Sequence, residues 1–147
     1  MEQNKHFYLR QTQKGLYIDV EGNSNSVDAY VVLKNKTDND WEGKQVWYFD
    51  EKEQIVNVQS GKVIGFLNHD PNHSNHYTLV QKENKQNPEF QWVYDKDKKN
   101  IHSKKLGSAY DFVPHLGDAF DGAKICMEAG GSTPGPSQYF EVVYKDN

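Results

Sequence analysis

The chain contains one cysteine, Cys126, among its 147 residues. A single cysteine excludes an internal disulfide framework, and no CxxC or Cys/His pairing is present from which a structural zinc site could be built. No apolar run approaches the ~18 residues that a membrane span needs, and the first residues lack the apolar stretch of a signal peptide. We therefore expect no membrane span and a protein that is cytoplasmic, or secreted without a visible signal peptide.

An excess of positive charge is also missing. Lys and Arg number 17 against 21 Asp and Glu, which gives a net charge of -4 with both signs mixed along the chain. Nucleic acid is therefore not an expected partner, because phosphate binding requires a basic surface. Hydrophobic residues make up only 35% of the chain but aromatic residues 13%. This composition predicts one domain, residues 1–147, with a small core and a wide polar surface.

Helical spacing of apolar residues is hard to find anywhere in the chain. Short runs rich in Val, Ile, Tyr and Phe recur instead, separated by turn residues such as EGNSNS, NKTDND and GGSTPGPS. The chain is therefore predicted to be all-β. Strands are expected near residues 6–12, 15–20, 29–34, 45–51, 54–60, 62–67, 76–82, 89–95, 99–104, 108–113, 123–129 and 138–144.

An internal repeat is visible in these strands. Gly15, Gly61 and Gly107 each open a similar hexapeptide and recur every 46 residues, and the triplets that start at Val31, Thr78 and Ile125 recur every 47. Two registers at nearly the same period are harder to produce by chance than one. A period of this length indicates one supersecondary unit used three times.

An aromatic residue closes each unit: Trp47, Trp92 and Phe140. In the first and third units this aromatic lies two residues after a glutamine. Three units of four strands are too few for a capped solenoid, but a closed threefold arrangement lets every strand share one core. We predict a β-trefoil with repeats at approximately 6–47, 48–92 and 93–144. A two-sheet sandwich is the alternative, although it gives no reason for a threefold register.

The Gln-x-Trp tripeptide at this period, with Asp in the second strand of the repeat, resembles the ricin B-type (R-type) lectins. The resemblance is carried by HFYLRQTQKGLYIDVEG, QVWYFDEKEQIVNVQSGKVI, NPEFQWV and GAKICMEAGGSTPGPSQYFEVV, and it covers most of residues 6–144. It implies a β-trefoil that binds glycans without a cofactor, a catalytic residue or a metal. The galactose-binding members of the family carry a shallow sugar site in each functional repeat.

The resemblance also implies which residues contact sugar. In such sites a carboxylate accepts hydrogen bonds from two adjacent hydroxyls, an amide donates one, and an aromatic face covers the C–H side of the ring. Repeat two has Gly65 at the carboxylate position, so two sites are expected, in repeats one and three. The implied sugar-binding residues are Asp19, Gly22, Lys34, Lys44, Gln45, Asp111, Pro114, Glu128, Ser137 and Gln138.

The chain departs from the family at two kinds of position. Lys34, Gln81 and Glu128 stand where the stacking aromatic is usual, and the usual Asn-Gln pair is replaced by Lys44-Gln45 and Ser137-Gln138. A ring could instead come from a neighbouring loop. The candidates are Trp41 or Tyr30 in repeat one and Phe120 in repeat three.

Each of these residues has a plainer interpretation. Asp19 and Asp111 could be turn or surface carboxylates, and Gln45 and Gln138 could satisfy backbone groups at the repeat junctions. Cys126, inside a strand triplet, is expected to be a small buried side chain rather than a nucleophile. The loop with His69, His73 and His76 could hold a transition metal, but its spacing matches no known closed site and an exposed polar loop is the preferred interpretation.

Two functions follow from different classes. The first is a lectin that recognises terminal galactose or N-acetylgalactosamine on oligosaccharides, glycoproteins or glycolipids; a homodimer is left open. The second is a trefoil interaction module, such as a protease inhibitor, that uses its loops against a protein partner. Catalysis is not expected, because paired acid and base groups need a concave, partly desolvated site and trefoil loops form shallow surfaces.

Overall fold

Alternating burial explains why these short segments form strands. In the first strand, Phe7, Leu9 and Gln11 are buried while the residues between them are partly exposed, which is the period of two that a strand imposes on its side chains. The computed structural model describes residues 2–37, 43–67, 76–85, 87–128 and 136–145. The strands within them are β1 His6–Gln11, β2 Leu16–Val20, β3 Val31–Lys34, β4 Trp47–Phe49, β5 Ile55–Asn57, β6 Val63–Phe66, β7 His76–Lys82, β8 Trp92–Asp95, β9 Asn100–Ser103, β10 Gly107–Pro114, β11 Ile125–Glu128 and β12 Phe140–Tyr144.

All twelve predicted strands are present. Within the described ranges, helical structure is limited to three-residue 3₁₀ turns at Glu21–Asn23, Pro88–Phe90, His115–Gly117 and Pro136–Gln138. The all-β prediction is confirmed.

Six strands close into a barrel. Antiparallel ladders join β12 to β1, β1 to β4, β4 to β5 and β8 to β9. The ring is completed by two backbone hydrogen bonds, from Trp92 N to Glu53 O (2.9 Å) and from Phe140 N to Lys99 O (2.7 Å). A closed ring of this kind leaves no exposed sheet edge, and it excludes the flat two-sheet sandwich.

The other six strands form three hairpins, β2–β3, β6–β7 and β10–β11, which cap one end of the barrel. The hairpins meet one another through β7 and β11, where Thr78 pairs with Cys126, and through the isolated bridges of Tyr30 with Val80 and Val32 with Lys124. The arrangement is a β-trefoil of three four-stranded repeats.

The three closing aromatics lie in the shared core. Trp47 is 1% exposed, and Trp92 and Phe140 are fully buried. The Trp92 ring contacts Phe112 edge-on at a centroid distance of 5.0 Å, and Phe112 contacts Phe140 at 6.3 Å. Because β4, β8 and β12 begin at these three residues, the proposed divisions at 47/48 and 92/93 fall one residue inside β4 and β8. The exact repeat boundaries stay a prediction.

The third repeat departs from the uniform 46-residue register at a β-bulge. β9 pairs with β10 as Ser103 with Gly107 and then as His102 with Asp111, which leaves residues 108–110 unpaired in this ladder. On the other edge, Val113 pairs with Cys126, as Asp19 pairs with Val32 in repeat one. Strand pairing therefore places Val113, not Asp111, at the position of Asp19.

Candidate sugar-binding site

Repeat one brings Asp19 and Gln45 together as predicted. Gln45 Nε2 donates to Asp19 Oδ2 at 3.1 Å and to the carbonyl oxygen of Asn35 at 2.8 Å, while Gln45 Oε1 accepts from the Thr37 N–H at 3.0 Å. The second carboxylate oxygen of Asp19 accepts from the Val20 N–H at 2.6 Å. Gln45 is fully buried and Asp19 is 4% exposed. The glutamine therefore fixes the carboxylate and satisfies the backbone, which is the structural role considered for it, while its contact with sugar stays a prediction.

Repeat three contains the corresponding pair at a shifted position. Gln138 Nε2 donates to both carboxylate oxygens of Asp111, at 3.1 and 3.4 Å. Asp111 is also 4% exposed. Burial raises the pKa of Asp111 to about 6, against the opposing effects of its own backbone N–H and of the Gln138 amide. The pair survives the two-residue shift because Asp111 and Val113 lie on the same face of β10.

Repeat two is built without a carboxylate. A Cβ atom at Gly65 would lie 2.6 Å from Lys82 Cγ and 3.1 Å from two ring carbons of Phe90. Gln91, which precedes Trp92, donates instead to the carbonyl of Lys52 at 3.0 Å. The side chains of Lys82 and of Phe90, which ends the 3₁₀ turn before β8, thus fill the place that a sugar-binding carboxylate would need.

Gln81, one of the residues at the expected stacking position, has a structural role. It is 1% exposed, and its amide donates to the carbonyls of Ser24 and Ser26 and accepts from the Ser60 hydroxyl. Strand pairing shows that the true counterpart of Lys34 in repeat two is Lys82, since the two face Tyr17 and Val63.

Two amides missed by the sequence analysis support the candidate sites from an adjacent repeat. Gln11 Nε2 donates to the carbonyl of Ser137 at 3.3 Å, and Asn57 Nδ2 donates to the carbonyl of Lys44 at 3.0 Å. Each carbonyl belongs to the residue just before Gln138 or Gln45. Gln11 and Asn57 are buried polar residues at the ends of β1 and β5, 46 residues apart. That spacing was the available signal.

The remaining predicted residues surround the two pairs. Gly22 is exposed, has φ 66° and has open space at its Cβ position. Lys34 forms an ion pair with Asp121 (3.3 Å). Pro114 is buried where β10 ends, Ser137 is 9% exposed, and Glu128 pairs through its backbone with His76.

The three candidate rings have different outcomes. Trp41 lies outside the described residues. Tyr30 is half-buried, and Lys124 Nζ lies 3.9 Å from its ring centroid. Phe120 is 55% exposed.

The histidine loop and Cys126 are the remaining candidates for metal binding or nucleophilic chemistry. His69 and His73 lie outside the described residues, and His76 begins β7. Over residues 2–37, 43–67, 76–85, 87–128 and 136–145, no group of three or more His, Cys, Asp or Glu could hold a metal ion. Cys126 is 1% exposed, as expected for a small core side chain. The same residues include no helix long and apolar enough to cross a bilayer.

A cavity of about 720 Å³ is bordered by β8, the turn that follows it and β12, and contains none of the predicted sugar-binding residues. It is lined by Glu2, Tyr94, Lys96, Asp97, Lys99, Glu141, Val142 and Tyr144.

Comparison with protein families agrees with this geometry. Residues 5–140 match the model of the ricin-type β-trefoil lectin domain. The chain belongs to this family. The domain is accordingly a carbohydrate-binding lectin domain of the ricin B type. No curated protein matches the chain.

Solved structures with the same fold are similar to the domain over nearly its whole length. The C-half of the earthworm R-type lectin, in complex with GalNAc, is 19% identical, with a TM-score of 0.76 and coverage of 96% of this chain and 99% of that one. The ricin B-like lectin of Macrolepiota procera, in complex with lactose, is 14% identical, with a TM-score of 0.70 and 97% of each chain covered. The designed threefold-symmetric protein ThreeFoil is 20% identical, with a TM-score of 0.74 and coverage of 94% and 97%. These likenesses support the β-trefoil.

Proposed function

We propose that the lectin domain binds terminal galactose or N-acetylgalactosamine of glycans at two sites, in repeats one and three, and catalyses no reaction. The observation that carries the proposal is the carboxylate–amide pair, Asp19 with Gln45 and Asp111 with Gln138. Among the described residues of repeat two, Gly65 stands at the carboxylate position and the Gln91 amide donates to the carbonyl of Lys52 instead. The earthworm and Macrolepiota procera lectins, which were solved with GalNAc and lactose, support the choice of sugar.

The chemistry of the pair suits a sugar edge. A carboxylate is a strong acceptor for two adjacent hydroxyls, and the neighbouring amide holds it in one orientation. Because Asp19 and Asp111 are each 4% exposed, only the edge of one ring can reach them. A terminal residue of a glycan meets this requirement better than an internal one.

Titration calorimetry with methyl galactoside, N-acetylgalactosamine and lactose tests the proposal. Wild type should bind two equivalents, and Asp19→Ala or Asp111→Ala should bind one, because a hydrogen bond to a charged group contributes about 1.5 to 3 kcal/mol. The double variant should bind none. Agglutination of galactose-bearing particles should weaken more than monovalent binding in either single variant, since cross-linking requires two sites.

The matched control is Glu51→Ala, which removes an exposed carboxylate on the turn after β4 and should leave the stoichiometry at two. Wild type that binds none of these sugars, or a double variant that binds as wild type does, contradicts the proposal. In that event the interaction-module hypothesis becomes the leading one.

A further inference from the structure

The loop that carries Phe120 belongs in sequence to repeat three but is attached to repeat one. Gly122 N donates to Leu33 O at 2.6 Å, and Leu33 N donates to Ala123 O at 2.8 Å. These two bonds extend the β2–β3 hairpin by a third short strand-like segment. The loop therefore lies beside the repeat-one pair and is held there by backbone bonds rather than by side chains alone.

Asp121 strengthens this attachment by bonding to Asn35, a residue that Gln45 also contacts. Its Oδ1 accepts from the Asn35 N–H at 2.8 Å and its Oδ2 pairs with Lys34 Nζ at 3.3 Å. Gln45 donates to the carbonyl of the same Asn35. Hydrogen bonds in series thus lead from Asp19 through Gln45 and Asn35 to Asp121, next in sequence to Phe120.

A loop is attached to the neighbouring hairpin in the same way at the junction of repeats one and two, but no carboxylate is present at the corresponding position there. There Asp28 N donates to Gln81 O, Gln81 N donates to Ala29 O, and Asp28 pairs with Lys82 at 2.6 Å. The neighbouring hydrophobic residue is Val27, and the carboxylate position is Gly65. Of these two junctions, only the one between repeats three and one combines an exposed aromatic ring with a carboxylate–amide pair.

We propose that Phe120 supplies the apolar face for the sugar bound by Asp19, whose carboxylate Gln45 orients, so that the repeat-one site is composed of two repeats. Lys34 replaces the stacking aromatic usual at that position, and the ring of Phe120, 55% exposed, takes over its role from the adjoining loop. The ligand class is a pyranose with an uninterrupted C–H face, as in galactose. This inference rests on the proposed function, and it transfers Phe120 from the third site, where the sequence placed it, to the first.

The test isolates each site before Phe120 is changed. In the Asp111→Ala background only the repeat-one site remains, and Phe120→Ala should weaken galactoside binding there by about tenfold, in line with the contribution of an aromatic contact. Phe120→Tyr should restore it, because the ring is retained. In the Asp19→Ala background, where only the repeat-three site remains, Phe120→Ala should leave the affinity unchanged.

Proton NMR of the bound sugar supplies a direct readout. Upfield ring-current shifts of the galactoside C–H protons should be present in the Asp111→Ala protein and decrease when Phe120→Ala is added. Because Phe120 is mostly exposed, its removal should not unfold the domain, and thermal unfolding of each variant checks this.

The outcomes separate this inference from the function on which it rests. Binding that is lost with Asp19→Ala but is insensitive to Phe120→Ala overturns the composite site and leaves the lectin function standing. An effect of Phe120→Ala confined to the Asp19→Ala background returns the ring to repeat three and also overturns it. Wild type that binds no galactoside overturns both proposals.

Discussion

Gly65 packs against the ring of Phe90, so closely that a Cβ atom at Gly65 would be 3.1 Å from two ring carbons. The repeat-two position equivalent to Asp19 is therefore occupied by the protein's own aromatic side chain. Loss of the carboxylate and filling of its place are therefore one structural feature of repeat two.

Gly65→Asp should therefore fail to create a third sugar site. The new side chain would displace Phe90 and Lys82, and overpacking of this kind costs about 1 to 3 kcal/mol of unfolding free energy. Denaturant unfolding measures the loss, and calorimetry should still give two equivalents of sugar. Three equivalents with unchanged stability would show that Phe90 does not block the position.

Trp92→Phe tests the indole hydrogen bond of the core. Trp92 Nε1 donates to Ile64 O at 3.0 Å and Trp47 Nε1 donates to Ile18 O at 3.1 Å, whereas Phe140 carries no such donor. Trp92→Phe leaves a buried carbonyl without its partner and should cost about 1 to 3 kcal/mol, while Trp92→Ala should cost about 3 to 5 kcal/mol. Equal losses for the two variants in urea unfolding would assign the whole effect to the indole hydrogen bond, because Trp92→Phe keeps an aromatic ring in the core.

The raised pKa of Asp111 predicts that the free energy of unfolding decreases as the pH rises through about 6. Its folded pKa of about 6 lies above the ordinary value of 3.8, so between these pH values the unfolded chain releases a proton that the folded protein retains. The loss is complete above the folded pKa and is on the order of 1 to 2 kcal/mol after allowance for solvent screening.

Asp111→Asn should remove this contribution and be more stable than wild type at pH 8 but not at pH 4. Unfolding curves at the two pH values make the comparison. If the difference in unfolding free energy between wild type and Asp111→Asn is the same at pH 4 and pH 8, the raised pKa is contradicted.

Gln81→Leu should destabilise the junction of repeats one and two. The change leaves the carbonyls of Ser24 and Ser26 and the Ser60 hydroxyl without their amide partner, at a cost of about 1 to 3 kcal/mol. Gln3→Leu, at an exposed site, is the matched control and should change stability by less than about 0.5 kcal/mol. Hydrogen exchange at residues 24–29 should increase only in the Gln81 variant.

The sequence by itself determined the strands, the threefold repeat and the core aromatics. Apolar alternation is local, so it locates β1 to β12 before any long-range contact is known. Trp47, Trp92 and Phe140 follow from the repeat, because equivalent positions around one axis must fill equivalent core space. The pairing of Asp19 with Gln45 followed from the family motif.

Only the tertiary structure decided which residues lie together at the candidate sites. The bulge at residues 108–110 moves Asp111 two positions along β10, and no feature of the 46-residue spacing reveals it. The attachment of the Phe120 loop to β3 is likewise invisible in sequence, because backbone hydrogen bonds between repeats carry no residue signature. Both carboxylates are buried by neighbours from distant segments of the chain. The sequence can therefore identify Asp19 and Asp111, but their environment depends on contacts that form only when the chain folds.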